Sequence, residues 1–271
     1  MVGFVRGFFV LMMLSATIPA PAWSADTTLV SLKTARGVKQ AFLLIKPDKP
    51  VASVILFAGG HGALGLKSGS SMKWGAGNFL VRTRDMFAGH SLMVAVIDAP
   101  SDQQDGMNGV FRMSGAHATD ISAVAAYLKK QADVPLWLVG TSMGTFSAAG
   151  GAIASSNIDG LVLSSTITRA KSNWTIAQSH RDGVGSMALQ KVSVPTLIIS
   201  HKKDGCDITP AADGEKLRKR LTNASKVEIA LLDGGDPPQS DPCEAKSQHG
   251  FLGIEGQVVA AIAKFVTANG R

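Results

Sequence analysis

Aromatic side chains make up only 6% of the 271 residues, and charged ones 17%. So few aromatics offer no obvious stacking platforms for nucleic acid. The formal charge of +7 is scattered. Its densest stretch, Lys216, Arg218, Lys219 and Arg220, closes a helical pattern. There it complements the helix dipole and is solvated, so no nucleic-acid partner is expected. No cluster of histidines and cysteines has zinc spacing. Residues 204–207 lack the ligand pattern of a calcium loop. Neither a metal nor another cofactor is therefore expected. The chain also lacks an internal repeat, a linker or a break in composition, so one domain is the economical reading.

What is present is apolar: 45% of the residues are hydrophobic, which excludes a disordered chain. The N-terminus has one positive charge at Arg6, a short apolar core at residues 7–14, and then small residues with prolines. This is the form of a secretory signal peptide. Ala22 and Ser24 each follow a small residue two positions earlier, so cleavage is expected after one of them, with Ala25 as a third option. The expected division is a signal peptide over residues 1–24 and one domain over residues 25–271. The apolar core is short for a membrane span, which takes ~20 residues. No cysteine lies near the cleavage region, which argues against a lipoprotein. The protein is thus expected to be exported, periplasmic or secreted, with no stable membrane anchor after cleavage. Its two cysteines, Cys206 and Cys243, can oxidise in such a compartment. A bridge between them closes a long loop, worth about 4 kcal/mol in the chain-entropy model.

Short apolar runs alternate with helical patterns. Residues 27–33 and 38–45 read as an opening hairpin, with its turn at residues 35–37. Residues 51–58, 91–97, 134–139, 158–165, 192–200 and 226–232 read as strands, the continuous apolar runs being covered on both faces. Helices are expected over residues 76–88, 117–129, 145–154, 210–221 and 256–266. Residues 101–109 read as a polar loop, and residues 166–191 as a small cap or a helix with loops. This order predicts an α/β fold, a mostly parallel sheet with helices on both faces. Sites in such sheets lie at the carboxyl ends of the strands.

The stretch that organises the rest is Gly140, Thr141, Ser142, Met143 and Gly144. It joins an apolar strand to a helix of small residues, which is the sequence form of a nucleophile elbow. A serine in so tight a turn takes a strained backbone, and flanking glycines remove the Cβ atoms that would collide. Its hydroxyl needs a base, usually histidine, and the histidine needs a carboxylate. Ser142, Asp204 and His249 follow one another at strand ends in that order. One look-alike is rejected. Gly60 to Ser68 resembles a phosphate loop, but Leu66 stands between Gly65 and Lys67, where the pattern needs lysine directly after glycine.

With these residues in order, the chain from about Val51 onward resembles the α/β-hydrolases, of the small esterase and dienelactone-hydrolase-like kind. The resemblance implies a single-domain α/β-hydrolase. It implies Ser142 as nucleophile and His249, before the last helix, as base. The acid is expected to be Asp204, with Asp207, which follows the same strand, as the alternative and Asp233 and Asp236 as outside candidates. If Asp204 is the acid, Asp207 caps the following helix. The resemblance places the oxyanion hole at the backbone amides of Gly60, with His61 the alternative, and Met143. His61, His90, His117, His180 and His201 compete with His249 by residue type only. His117 is a candidate substrate contact. A Cys206–Cys243 bridge would tie the acid loop to the histidine loop. The implied activity is that of an exported, carboxylesterase-like serine hydrolase working through an acyl-enzyme on a small-molecule ester. Amides, thioesters and peptides are further substrates of such a site. A haloperoxidase-like or lyase activity on the same triad and a binding protein without turnover are the alternatives. Trp74, Phe111 and Trp174 are candidate pocket walls. Oligomeric state is not legible.

Overall fold

The computed structural model describes residue 1, residues 26–67 and residues 71–270. The expected signal peptide lies outside the described residues, apart from its first residue. Eight strands form one sheet: β1 (Thr27–Lys33), β2 (Lys39–Ile45), β3 (Ala52–Phe57), β4 (Leu92–Ile97), β5 (Leu136–Thr141), β6 (Gly160–Ser164), β7 (Thr196–His201) and β8 (Val227–Leu232). Their spatial order is β1-β2-β4-β3-β5-β6-β7-β8. β1 and β2 pair as an antiparallel hairpin, and β2 meets β4 antiparallel. Every later pairing is parallel.

Burial follows this order. Every residue of β3, β4, β5, β6 and β7 is buried, as strands covered on both faces must be. The edge strands β1 and β8 bury no residue fully. Because side chains alternate, each inner strand feeds two cores. Ile55, Phe57, Leu136 and Leu138 face one. Val54, Leu56, Trp137 and Val139 face the other.

The helices are α1 (Phe79–Arg82), α2 (Arg84–Gly89), α3 (Gly109–Arg112), α4 (Gly115–Gln131), α5 (Gly144–Ala154), α6 (Gly214–Arg220) and α7 (Glu255–Asn269). α4 and α5 cover the first core through Ile121, Val124, Leu128 and Phe146. α1, α2 and α7 cover the second through Phe79, Phe87, Val258 and Ile262. Residues 248–269 are long and apolar enough to cross a membrane. Their Val258, Val259, Ile262 and Val266 are nevertheless buried in this core.

Three expectations are corrected. The helix expected over residues 76–88 divides at Thr83, whose hydroxyl donates to Phe79 O at 2.7 Å and closes α1. The loop expected to end at Gly109 leads into α3, capped by the Asn108 side chain accepting from Phe111 N. Residues 166–191 form turns and two short 3-10 segments, Gly183–Ser186 and Leu189–Lys191, rather than an α-helix.

Candidate active site

β5 ends at Thr141 and α5 begins at Gly144, so Ser142 and Met143 alone make the turn. Ser142 takes φ 52°, in the left-handed region. This conformation costs a non-glycine residue roughly 1–2 kcal/mol. It is held by Ser142 N donating to Ser164 O at 3.0 Å and by Thr145 N donating to Ser142 O at 2.9 Å. The flanking glycines serve close approach rather than φ. A Cβ on Gly140 would strike the Gly144 carbonyl, and one on Gly144 would strike the Phe57 carbonyl.

Asp204 stands three residues past β7, its side chain fully buried. His249 lies in the 3-10 turn Gln248–Gly250 before α7. His249 Nδ1 is 3.1 Å from Asp204 Oδ2. The Cys206 amide donates to Asp204 Oδ1 at 3.0 Å. The Thr209 hydroxyl donates to Oδ2 at 3.0 Å and stands 3.1 Å from His249 Nδ1. Thr209 was missed in the sequence, since a threonine before a proline carries no chemical signal. Asp207 is exposed and, contrary to expectation, caps no helix: the residue before α6 is Asp213. Asp233 and Asp236 are exposed too.

Cys206 and Cys243 form a disulfide between the acid loop and the histidine loop. With Asp207 they make a cluster whose atoms lie within 4.8 Å, but both sulfurs are already bonded to each other.

Ser142, Met143, Gly60 and His249 line one cleft of about 500 Å³, together with His61, Trp74 and Asn78. No hydrogen bond joins Ser142 Oγ to His249 among the described residues. The amides of Gly60 and Met143 have no acceptor among the described residues. Gly60 has φ 56°, and a Cβ there would come within 2.6 Å of Trp74 Cη2.

No family model and no curated protein sequence matches the chain. Solved structures do match in three dimensions. An esterase from Pyrococcus furiosus superposes with a TM-score of 0.63 at 14% identity, covering 90% of this chain and 93% of that one. A dienelactone hydrolase from Anabaena variabilis gives 0.60 at 13% identity, covering 91% and 99%. An α/β-hydrolase from a Penicillium species gives 0.64 at 11% identity, covering 90% and 98%. The protein has the α/β-hydrolase fold.

In this hydrolase fold three buried or half-buried side chains hold the cleft's loops. Arg112 on α3 is 1% exposed. It donates to the carbonyls of Met107 at 3.2 Å, Ala58 at 3.3 Å and Gly60 at 3.2 Å, and to Ser147 Oγ at 3.0 Å. Burial pushes its guanidinium down to about 9, still charged at neutral pH. It thereby holds the carbonyls of Ala58 and Gly60, on either side of the Gly59–Gly60 peptide. Asp98, just past β4, accepts from the amides of Leu64, Gly65 and Leu66 at 2.6, 3.2 and 2.9 Å. The amides a phosphate would need are thus already engaged. Arg82 on α1 donates to Gly250 O at 2.6 Å and Ala245 O at 3.2 Å, and pairs with Glu255 at 2.9 Å. It pins the histidine loop against α1.

The remaining histidines separate by burial. His117 is 0% exposed and contacts Ser147 Oγ at 3.0 Å, so its expected role as a substrate contact is corrected. Burial first, then the charges of Arg112 and Arg36, hold it down at about 3. His201 is buried against Gly234 O at 3.0 Å, and His90 is exposed. His61 stacks on Trp74, ring centroids 3.8 Å apart, at the cleft. Of the expected walls, Trp74 lines the cleft, Phe111 packs against His117, and Trp174 lines a separate cavity of about 230 Å³ on the far side of Met143.

Proposed function

We propose that this protein is an exported serine hydrolase of carboxylic esters, working through Ser142, His249 and Asp204. The observation that carries this reading is a left-handed serine sharing one cleft with a buried His–Asp pair. The esterase and hydrolase structures that share the fold support the same reaction class.

In the reaction, Ser142 Oγ attacks the ester carbonyl carbon while His249 Nε2 takes its proton. Asp204 holds the ring through Nδ1 and stabilises the imidazolium that forms. The amides of Gly60 and Met143 receive the oxyanion, each worth about 3–4 kcal/mol by analogy with side-chain donors of this kind. Collapse expels the alcohol, which leaves with the proton from His249. Water then repeats the sequence on the acyl-enzyme. The Ser142–His249 hydrogen bond forms with substrate, since such contacts are often long in the free enzyme. Residues 166–191 form turns and short 3-10 segments, so among the described residues this stretch puts no α-helix over the cleft, and short or single-ring esters are the proposed substrates. Residues 1–24 are proposed as the signal peptide. The disulfide is in keeping with an oxidising destination.

A second reading, a binding protein without turnover, is favoured by the missing Ser142–His249 bond. A fluorophosphonate probe separates the two. The expected result is one label on the wild type and none on Ser142→Ala or His249→Ala. Folded, oxidised wild type that takes no label would establish the second reading.

A further inference from the structure

We infer that Asn78 is a further catalytic residue, whose side-chain amide donates a third hydrogen bond to the oxyanion. The inference rests on Ser142 being the nucleophile.

Asn78 stands at the N-cap position of α1, with φ −59° and ψ 141°. Asparagine is favoured there because its side chain bonds the helix's first amides. The Asn78 side chain makes no such bond. Its backbone is held on both sides: Asn78 N donates to Gly75 O at 2.8 Å, and Asn78 O accepts from Arg82 N at 2.9 Å. Arg82 is itself tied to the histidine loop. The side chain is therefore anchored at its root and uncommitted at its tip.

That tip stands near Ser142, in the same cleft. Asn78 Nδ2 is 3.3 Å from the point where a Cβ on Gly59 would stand. The same point is 2.9 Å from Ser142 Cβ and 3.2 Å from Thr141 O. Glycine at position 59 lets the amide and the serine stand this close, since a Cβ there would strike Ser142. Asn78 lines the same cleft as Ser142, Gly60 and Met143, so the carbonyl oxygen of a group attacked by Ser142 comes toward its amide when it turns to Gly60 N. Asn78 Oδ1, at the other end of the amide, is buried with no donor among the described residues. An orphaned buried acceptor costs about 1–3 kcal/mol. An amide kept in place at that cost, beside a nucleophile, is one held for the transition state.

The step balances without another reactant. The Ser142 Oγ–carbon bond forms as the carbonyl π pair moves to oxygen, and the hydroxyl proton passes to His249 Nε2. The oxygen then carries the negative charge, and Asn78 Nδ2–H donates to it beside Gly60 N–H and Met143 N–H. When the carbonyl re-forms, the ester C–O bond breaks and the leaving oxygen takes the proton from His249. Asn78 remains neutral throughout. Its contribution is larger in the transition state than with bound substrate, so it acts on kcat.

The test compares wild type with Asn78→Ala and the near-isosteric Asn78→Asp on a neutral short-chain ester. Fluorophosphonate titration counts active sites, and thermal unfolding checks the fold. Asn78→Ala is expected to lower kcat about 100-fold with KM within about twofold. Its inhibition constant for a trifluoromethyl ketone, which forms an oxyanion on the serine, is expected to weaken in step with kcat/KM. Asn78→Asp is expected to be slower still at neutral pH, where its carboxylate repels the oxyanion, and its activity relative to wild type at the same pH is expected to rise as acid protonates it. Folded Asn78→Ala with kcat within twofold of wild type would overturn the inference, as would an unchanged ketone constant. If the alanine variant unfolds, the pH dependence of Asn78→Asp decides: a pH profile parallel to that of wild type overturns it. Wild type that neither labels nor turns over would instead remove the reading of Ser142 on which the inference stands.

Discussion

His117 shows what one buried residue does to the whole chain's response to acid. It sits neutral between Ser147, Phe57 and Phe111, close to the Arg112 charge. Its folded value of about 3 lies below the ordinary 6.5. Below pH 6.5 the unfolded chain therefore takes up a proton that the folded chain refuses. Stability is lost as pH falls from 6.5 toward 3, by about 2 kcal/mol per 1.5 pH units. His117→Gln removes this dependence. Its thermal midpoint is expected to fall less between pH 7 and pH 5 than that of wild type, as calorimetry at several pH values would show. Equal slopes would mean that other groups set the acid response. At the same scale, Ser142 and the residues to its sides were legible because an elbow needs small residues in a fixed local pattern. Thr209, Asn78 and Arg112 were not. Thr209 meets His249, and Arg112 meets Ser147 and Gly60, across long stretches of sequence, and the role proposed for Asn78 rests on a cleft built the same way; no local pattern hints at any of these. Nothing in the sequence singles out Arg112; only the fold brings four acceptors from three segments around it.

Among the elements, the loops at the strand ends matter most, and each is held by a different device. The Gly60 loop hangs on Arg112 and the Leu64–Leu66 amides on Asp98. The acid and histidine loops are joined by the disulfide. That bridge spans a sequence separation of 37, worth about 4 kcal/mol in the chain-entropy model. It also sits directly beside Asp204, which accepts from the amide of Cys206. Replacing both cysteines by serine is expected to lower the thermal midpoint and to reduce kcat more than it raises KM. Reduced wild type should behave the same way. If both measurements stay put after reduction, the bridge does not hold the His–Asp pair. Strands were legible to within a few residues because long apolar runs have one stable use in such a sheet. Helix breaks were less so. Thr83 ends α1 through a hydroxyl-to-carbonyl bond that a helical pattern does not reveal.

For the molecule as a whole, the first strand begins at Thr27, just beyond the proposed leader. Cleavage near residue 24 would leave the sheet intact. N-terminal analysis of exported protein is expected to begin at Trp23, Ala25 or Asp26, and protein retaining Met1 after export would refute the proposed leader. The alternation of strand and helix, the class of the sheet, and the order Ser142, Asp204, His249 were all determined by the sequence, because apolar periodicity and turn chemistry act between near neighbours. Only the tertiary structure decided that Asp204, which the sequence favoured over Asp207, in fact meets His249, that His117 is buried, and that Asn78 shares the cleft with Ser142. Those outcomes depend on how separate strand ends converge. Convergence is set by the twist and order of the whole sheet, which no local stretch of sequence encodes.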